Sequence, residues 1–93
     1  MEIRVDPHTL ERAEQRGTNE HEIRETIEKG EIIVAKSGRL GRTKIYEFNQ
    51  MRNGKFFEQR RVEAFYVIEG NVIVTVTVYV FYGKWENERA NPL

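Results

Sequence analysis

Val62-Glu-Ala-Phe-Tyr-Val-Ile-Glu69-Gly70-Asn71-Val72-Ile-Val-Thr-Val-Thr-Val-Tyr-Val80 reads as two strands around a tight turn. β-branched and aromatic residues run on both sides of a Gly-Asn signal with period two, the pattern of an antiparallel hairpin. Along the second strand Val72, Val74, Val76, Val78 and Val80 share one face, and Ile73, Thr75, Thr77, Tyr79 and Phe81 the other. A three-residue loop, Glu69-Gly70-Asn71, pairs Ile68 with Val72, Tyr66 with Val74, Ala64 with Val76 and Val62 with Val78. All the aliphatic side chains then lie together. A two-residue loop sets Glu63 and Glu69 among the valines. A slip of one residue exchanges the faces, so burial selects the three-residue loop. The opposite face, with Arg61, Glu63, Phe65, Thr75, Thr77 and Tyr79, is polar enough to be wet.

Upstream of this hairpin the strand pattern continues. Strands are expected at about Phe57 to Ile68 and Val72 to Tyr82, and a further one at Thr43 to Phe48. Asn53-Gly54 marks a hairpin because both residues tolerate positive φ. In a two-residue turn there, Glu47 opposes Arg60. Ile32 to Ala35 forms the first strand and closes in the turn 37–41. Before residue 31 the period is helical. Asp6-Pro7 opens a helix that stops at Gly17, with Leu10 and Ala13 on its thin apolar side. Asn19 with Glu22 reads as a capping box for a second helix ending at Gly30, with Ile23 and Ile27 facing the core. Glu20–Arg24, Arg24–Glu28, His21–Glu25 and Glu25–Lys29 sit at i,i+4 spacing on its solvated side. The expected fold is α+β: two N-terminal helices packed on one face of a four-stranded antiparallel sheet, in the order α-α-β-β-β-β. Residues 1–85 form a single domain, and the polar residues 86–93 are expected to be a loose tail.

Ninety-three residues suffice for one modest core. Fifteen Lys and Arg balance fifteen Asp and Glu, so long-range attraction to phosphate is absent and any basic surface must be local. The chain has no cysteine, which excludes disulfides, thiolate chemistry and cysteine-ligated metals. Nothing at the N-terminus has the apolar stretch of a signal peptide, and the longest apolar run, Val78 to Tyr82, is too short to cross a bilayer as a helix. A cytoplasmic protein with no membrane contact is expected.

His8, Arg12 and Arg16 occupy one strip of the first helix, beside its apolar side. A histidine titrating near neutrality beside two fixed cations suits an acid/base that works with phosphate holders. The plainer alternative is that the three face water and pair with Glu11 or Glu14. The two histidines, His8 and His21, are far apart and show no H-E-x-x-H pattern, so neither a metal site nor a cofactor is expected. Lys36-Ser37-Gly38-Arg39-Leu40-Gly41-Arg42-Thr43-Lys44 holds four cations and no acid. It reads either as a basic hairpin loop contacting phosphate or as a solvated turn, and it lacks P-loop spacing. Arg52, Lys55, Arg60 and Arg61 form a second basic cluster, diluted by Glu58 and Glu63. Tyr46, Phe48, Tyr66, Tyr79 and Tyr82 offer stacking surfaces only if several are exposed together. The two helices meet as in a helix-turn-helix, yet the acids of the second would repel DNA phosphate.

The start His8-x-x-x-Arg12-x-x-x-Arg16-Gly17 resembles a family of small bacterial proteins of unknown function, loosely as far as Tyr79. That family is similar at a distance to RelE/ParE/BrnT-type toxins and to barnase-like and EndoU-like ribonuclease folds. The resemblance implies a toxin-like, metal-independent ribonuclease or RNA-interacting protein, with the site on the open face of the sheet. Only His8, Arg12 and Arg16 match the motif, with His8 as the acid/base and Arg12 and Arg16 holding phosphate. On the same hypothesis Arg39, Arg42 and Lys44 of the basic loop, with Arg61 and Tyr79 of the mixed face, contact substrate. Its partners are RNA and a small antitoxin-like protein. The alternative is a non-catalytic interaction module, including a homodimer, that pairs through a strand edge or the mixed face.

Overall fold

Asp6 and Pro7 begin the first helix as their chemistry requires. Asp6 is extended, at φ −64° and ψ 142°, and its carboxylate accepts from the His8 amide at 2.8 Å. The computed structural model of the chain describes residues 1–85, so the expected tail lies outside the described residues. Helix α1 runs Pro7–Arg16 and α2 runs Glu20–Lys29. The boundary between them is Gly17, at φ +96°, whose amide donates to the Ala13 carbonyl. Asn19 caps α2 by accepting from the Glu22 amide at 2.9 Å. Only this half of the expected capping box forms among the described residues. The Glu22 carboxylate turns instead to Thr18 and Arg60.

Five strands form one mixed sheet: β1 Glu2–Arg4, β2 Glu31–Ile33, β3 Leu40–Arg52, β4 Lys55–Glu69 and β5 Val72–Gly83, in the spatial order β1-β5-β4-β3-β2. This corrects the expectation of four antiparallel strands. The additional strand, β1, lies parallel to β5 with Ile3 beside Ile73. It is held there by burial of Ile3 and by Arg24, which donates to the Ile3 carbonyl at 2.8 Å. Its sequence signal is the short alternation Glu2-Ile3-Arg4-Val5.

The β4–β5 hairpin also departs from the expected register. Glu69 pairs with Val72 across a two-residue turn, with Gly70 at φ +63° in the first central position, as a type II′ turn needs. That register alone would send the wrong face to the core along most of β5. A bulge corrects it: Tyr66 pairs with Thr75, Phe65 with Thr77, and Val76 is the extra residue. Before the bulge Ile73 and Thr75 face the helices, and after it Val78 and Val80 do. Thr75 is therefore buried and not on the open face as expected. Its hydroxyl donates to Thr9 and accepts from the Asp6 amide, each at 2.9 Å. The same network draws Thr9 inward, so Thr9 and Ala13 form the buried side of α1 and Leu10 is left at its margin.

Asn53-Gly54 closes the β3–β4 hairpin with Arg52 opposite Lys55, as expected. An irregularity between Glu47 and Gln50, with Asn49 at φ +49°, then shifts the register. Tyr46, not Glu47, opposes Arg60, and Arg60 crosses to Glu22 on α2 through two hydrogen bonds of 2.7 and 2.6 Å. The core lies between the helices and one face of the sheet. Ala13, Ile23 and Ile27 pack on Val62, Ala64, Tyr66 and Val78, with Ile3 at the side. Each fully buried Ile or Val here contributes about 1.5–3 kcal/mol.

Candidate functional site

Side chains alternate across a strand, so the residues between the core positions point to the far face of the sheet. Among the described residues no element covers that face. Successive rows across β3, β4 and β5 read Gly41–Phe65–Thr77, Thr43–Glu63–Tyr79 and Ile45–Arg61–Phe81, as the pairing records. β2 adds Ile33 and Glu31 to the first two rows.

Aromatic rings and guanidinium groups interleave along the β5 side of this face. Arg16, from the end of α1, lies 4.8 Å from the centre of the Tyr79 ring and donates to the Val78 carbonyl at 2.7 Å. Tyr79 stacks on Phe81 at 6.4 Å and meets the edge of Phe65 at 5.9 Å. Arg61 lies 5.6 Å from the Phe81 ring and 5.2 Å from that of Trp85. Tyr79 and Phe81 remain 41% and 44% exposed, so flat apolar surface faces water beside fixed cations. Such contacts are worth about 0.5–1 kcal/mol at exposed sites and hold the rings in place. Arg61 pairs with Glu63 at 3.0 Å, while its buried Nε has no hydrogen-bond partner among the described residues.

At one end of the row a concavity of about 270 Å³ is lined by residues 34–37, Arg39, Phe65, Thr77 and Tyr79. Its wall is the tight turn in which Arg39 donates back to the Lys36 carbonyl, with Ser37 and Gly38 both at positive φ. Its floor depends on Gly41, since a Cβ there would stand 2.9 Å from the Phe65 ring. Lys36 and Arg39 thus stand at the rim of an aromatic-floored hollow.

The residues expected from sequence to act together are divided between the two faces. Arg61 and Tyr79 are on the open face, with Arg39 at the hollow. Arg42 and Lys44 point to the helix side: Arg42 donates to the Gly30 carbonyl at 2.9 Å, and the Lys44 ammonium sits 4.6 Å from the Tyr46 ring. Of the helix motif, Arg16 reaches the open face through Tyr79. Arg12 is exposed and bonds only locally, to Gln15 at 3.3 Å. The His8 side chain is 86% exposed, with Asp6 3.6 Å from its Nδ1. His8 and Arg16 stand eight residues apart, or about 12 Å along the helix. Sequence reasoning missed Phe81 and Trp85 as members of the strip. Phe81 shares the strand face of Tyr79, a period-two signal that was available, whereas the Trp85 contact lies beyond the strand end.

Several other aromatics pack away from this strip. Phe48, Phe57 and Tyr82 form one cluster. The Tyr46 hydroxyl donates to Glu25 at 2.7 Å, and burial together with that carboxylate pushes its ionisation well above the usual tyrosine range. Among the described residues no three His, Asp or Glu side chains converge as metal ligands, and no helix is long and apolar enough to cross a membrane. Comparison of the chain with protein-family models, with curated proteins and with solved structures finds no match.

Proposed function

We propose that this chain is an RNA-interacting protein that takes single-stranded RNA on the uncovered face of its sheet. The observation that carries the reading is the exposed Tyr79–Phe81 pair, held between Arg16 and Arg61 and adjoining the hollow rimmed by Lys36 and Arg39. Unpaired bases stack on such rings for about 1–3 kcal/mol each, and cations beside them meet the backbone. Glu63 on the same face is already matched by Arg61. Glu31 and Glu47 lie farther across the sheet. The local balance is therefore only mildly positive, which makes stacking the main source of affinity and the salt dependence shallow. This agrees with the toxin-like resemblance as to surface, since that resemblance also implies the open face. Cleavage needs an acid/base near the bound phosphate. His8 stands at the far end of α1 from Arg16, so the geometry favours binding over cleavage.

The test is fluorescence anisotropy with a labelled, unstructured RNA of about ten nucleotides, in EDTA. Phe81→Ala should weaken binding roughly tenfold, while Leu10→Ala on the outer margin of α1 leaves it unchanged. Equal affinity in wild type and Phe81→Ala would remove the open face from the interaction. Incubating the same RNA with wild type and His8→Ala reads cleavage separately: strand scission that vanishes in His8→Ala would restore the ribonuclease reading in full.

A further inference from the structure

The two edges of the sheet are treated differently. On one side the carbonyls of Ile3 and Val78 are taken by guanidinium groups from the helices, Arg24 at 2.8 Å and Arg16 at 2.7 Å, so that edge is occupied from within. On the other side β2 is outermost, and half of its backbone groups point away from β3. Apolar side chains at this edge are in water: Ile32 is 77% exposed and Val34, just past the strand, 91%, while Ile33 is half-buried. A short apolar strand left open beside a blocked edge marks a place where another strand adds.

We infer that β2 pairs with β2 of a second copy of this chain, antiparallel about a two-fold axis through Ile33. The sequence is self-complementary in that register. Ile32 of each copy falls opposite Val34 of the other, so both exposed aliphatics are covered twice over. Glu31 falls opposite Ala35 and Lys36 opposite Gly30, so no like charges meet. The net charge of zero removes general repulsion between copies. An axis perpendicular to the sheet keeps the two open faces on the same side, joining two five-stranded sheets into one platform. Val34, Ala35 and Lys36 also line the hollow beside Tyr79, but the inference does not rest on RNA binding, because it is read from mass alone.

Sedimentation equilibrium of the full chain tests it. The expected result is a species of twice the 11.0 kDa chain mass at micromolar concentration. Val34→Lys should weaken association roughly tenfold or more. A lysine at so exposed a position leaves the monomer fold intact, which a thermal melt by circular dichroism checks. The absence of native cysteine permits a second readout. Ile33→Cys should form a disulfide-linked dimer under mild oxidation, because opposed residues of an antiparallel pair lie within disulfide reach. Met51→Cys, exposed at the far end of β3, should not. A monomer at every concentration would overturn the inference and leave the edge to a strand of a different protein. A dimer that survives Val34→Lys and is not trapped through position 33 would overturn it equally.

Discussion

Gly17 shows how one position is fixed from two directions. It takes a left-handed conformation, at φ +96°, to end α1, and the Tyr82 hydroxyl fills the space a Cβ would need while donating to the Arg16 carbonyl at 2.6 Å. Gly17→Ala should therefore cost about 1 kcal/mol for the backbone and a further amount, of about the same size or more, for displacing Tyr82. Chemical denaturation of a double-mutant cycle separates the two. In a Tyr82→Phe background the Gly17→Ala cost should fall towards the backbone value alone, and an unchanged cost would disprove the contact. Thr75 carries the second residue-scale expectation. Thr75→Val takes the partner from the buried Thr9 hydroxyl and from the part-buried Asp6 amide, and should lower stability by about 1–3 kcal/mol in the same measurement. The glycine was legible in sequence as a helix stop, because capping is local chemistry. The threonine was not, since its direction depends on a bulge at Val76, five residues past the hairpin turn.

At the scale of elements, α2 is tied to the sheet by Glu22 and Arg60, whose side chains are only 13% and 14% exposed. Burial by itself would raise the Glu22 carboxyl, but the Arg60 fork and the Thr18 hydroxyl outweigh it and hold the group below the usual carboxylate range. The sign of the pH dependence follows. A carboxyl whose pKa is lowered by folding adds stability that is complete above its unfolded pKa, near 4.5, and is lost as pH falls through the folded value. Glu22→Gln should cost about 3 kcal/mol at pH 7, because Arg60 loses its partner. It should also flatten the loss of stability below pH 4.5. Thermal melts of both proteins at pH 7 and pH 3 read this, and parallel pH profiles would contradict it. Helix limits, the Asn53-Gly54 turn and the approximate strand positions were legible because they rest on neighbours in sequence, whereas the Gly70 turn was legible in place but not in length. β1 was not, since three residues gain a strand only by burying Ile3 beside a partner seventy positions away. Nor was the β5 bulge, since Val-x-Val alternation reads the same before and after one inserted residue.

For the molecule as a whole, the division into a helix-covered face and an uncovered one was legible, and so was the membership of Arg61, Phe65, Thr77 and Tyr79 in the latter. The candidate site was legible only in part. Spacing could not tell that Arg42 and Lys44 turn to the helix side, nor that Arg16 bends round the β5 edge to Tyr79. With few cations near the strip, a plot of log K against log salt for single-stranded RNA should have a slope of about −2, or about three phosphate contacts. A slope several-fold steeper would mean that a basic surface elsewhere does the binding. The most direct test of the open face is an NMR titration of the isotope-labelled chain with the same RNA. Shift changes should gather at Arg61, Phe65, Thr77, Tyr79, Phe81 and the Trp85 indole. Changes gathered on the outer surface of α2, or none at saturating RNA, would contradict the account.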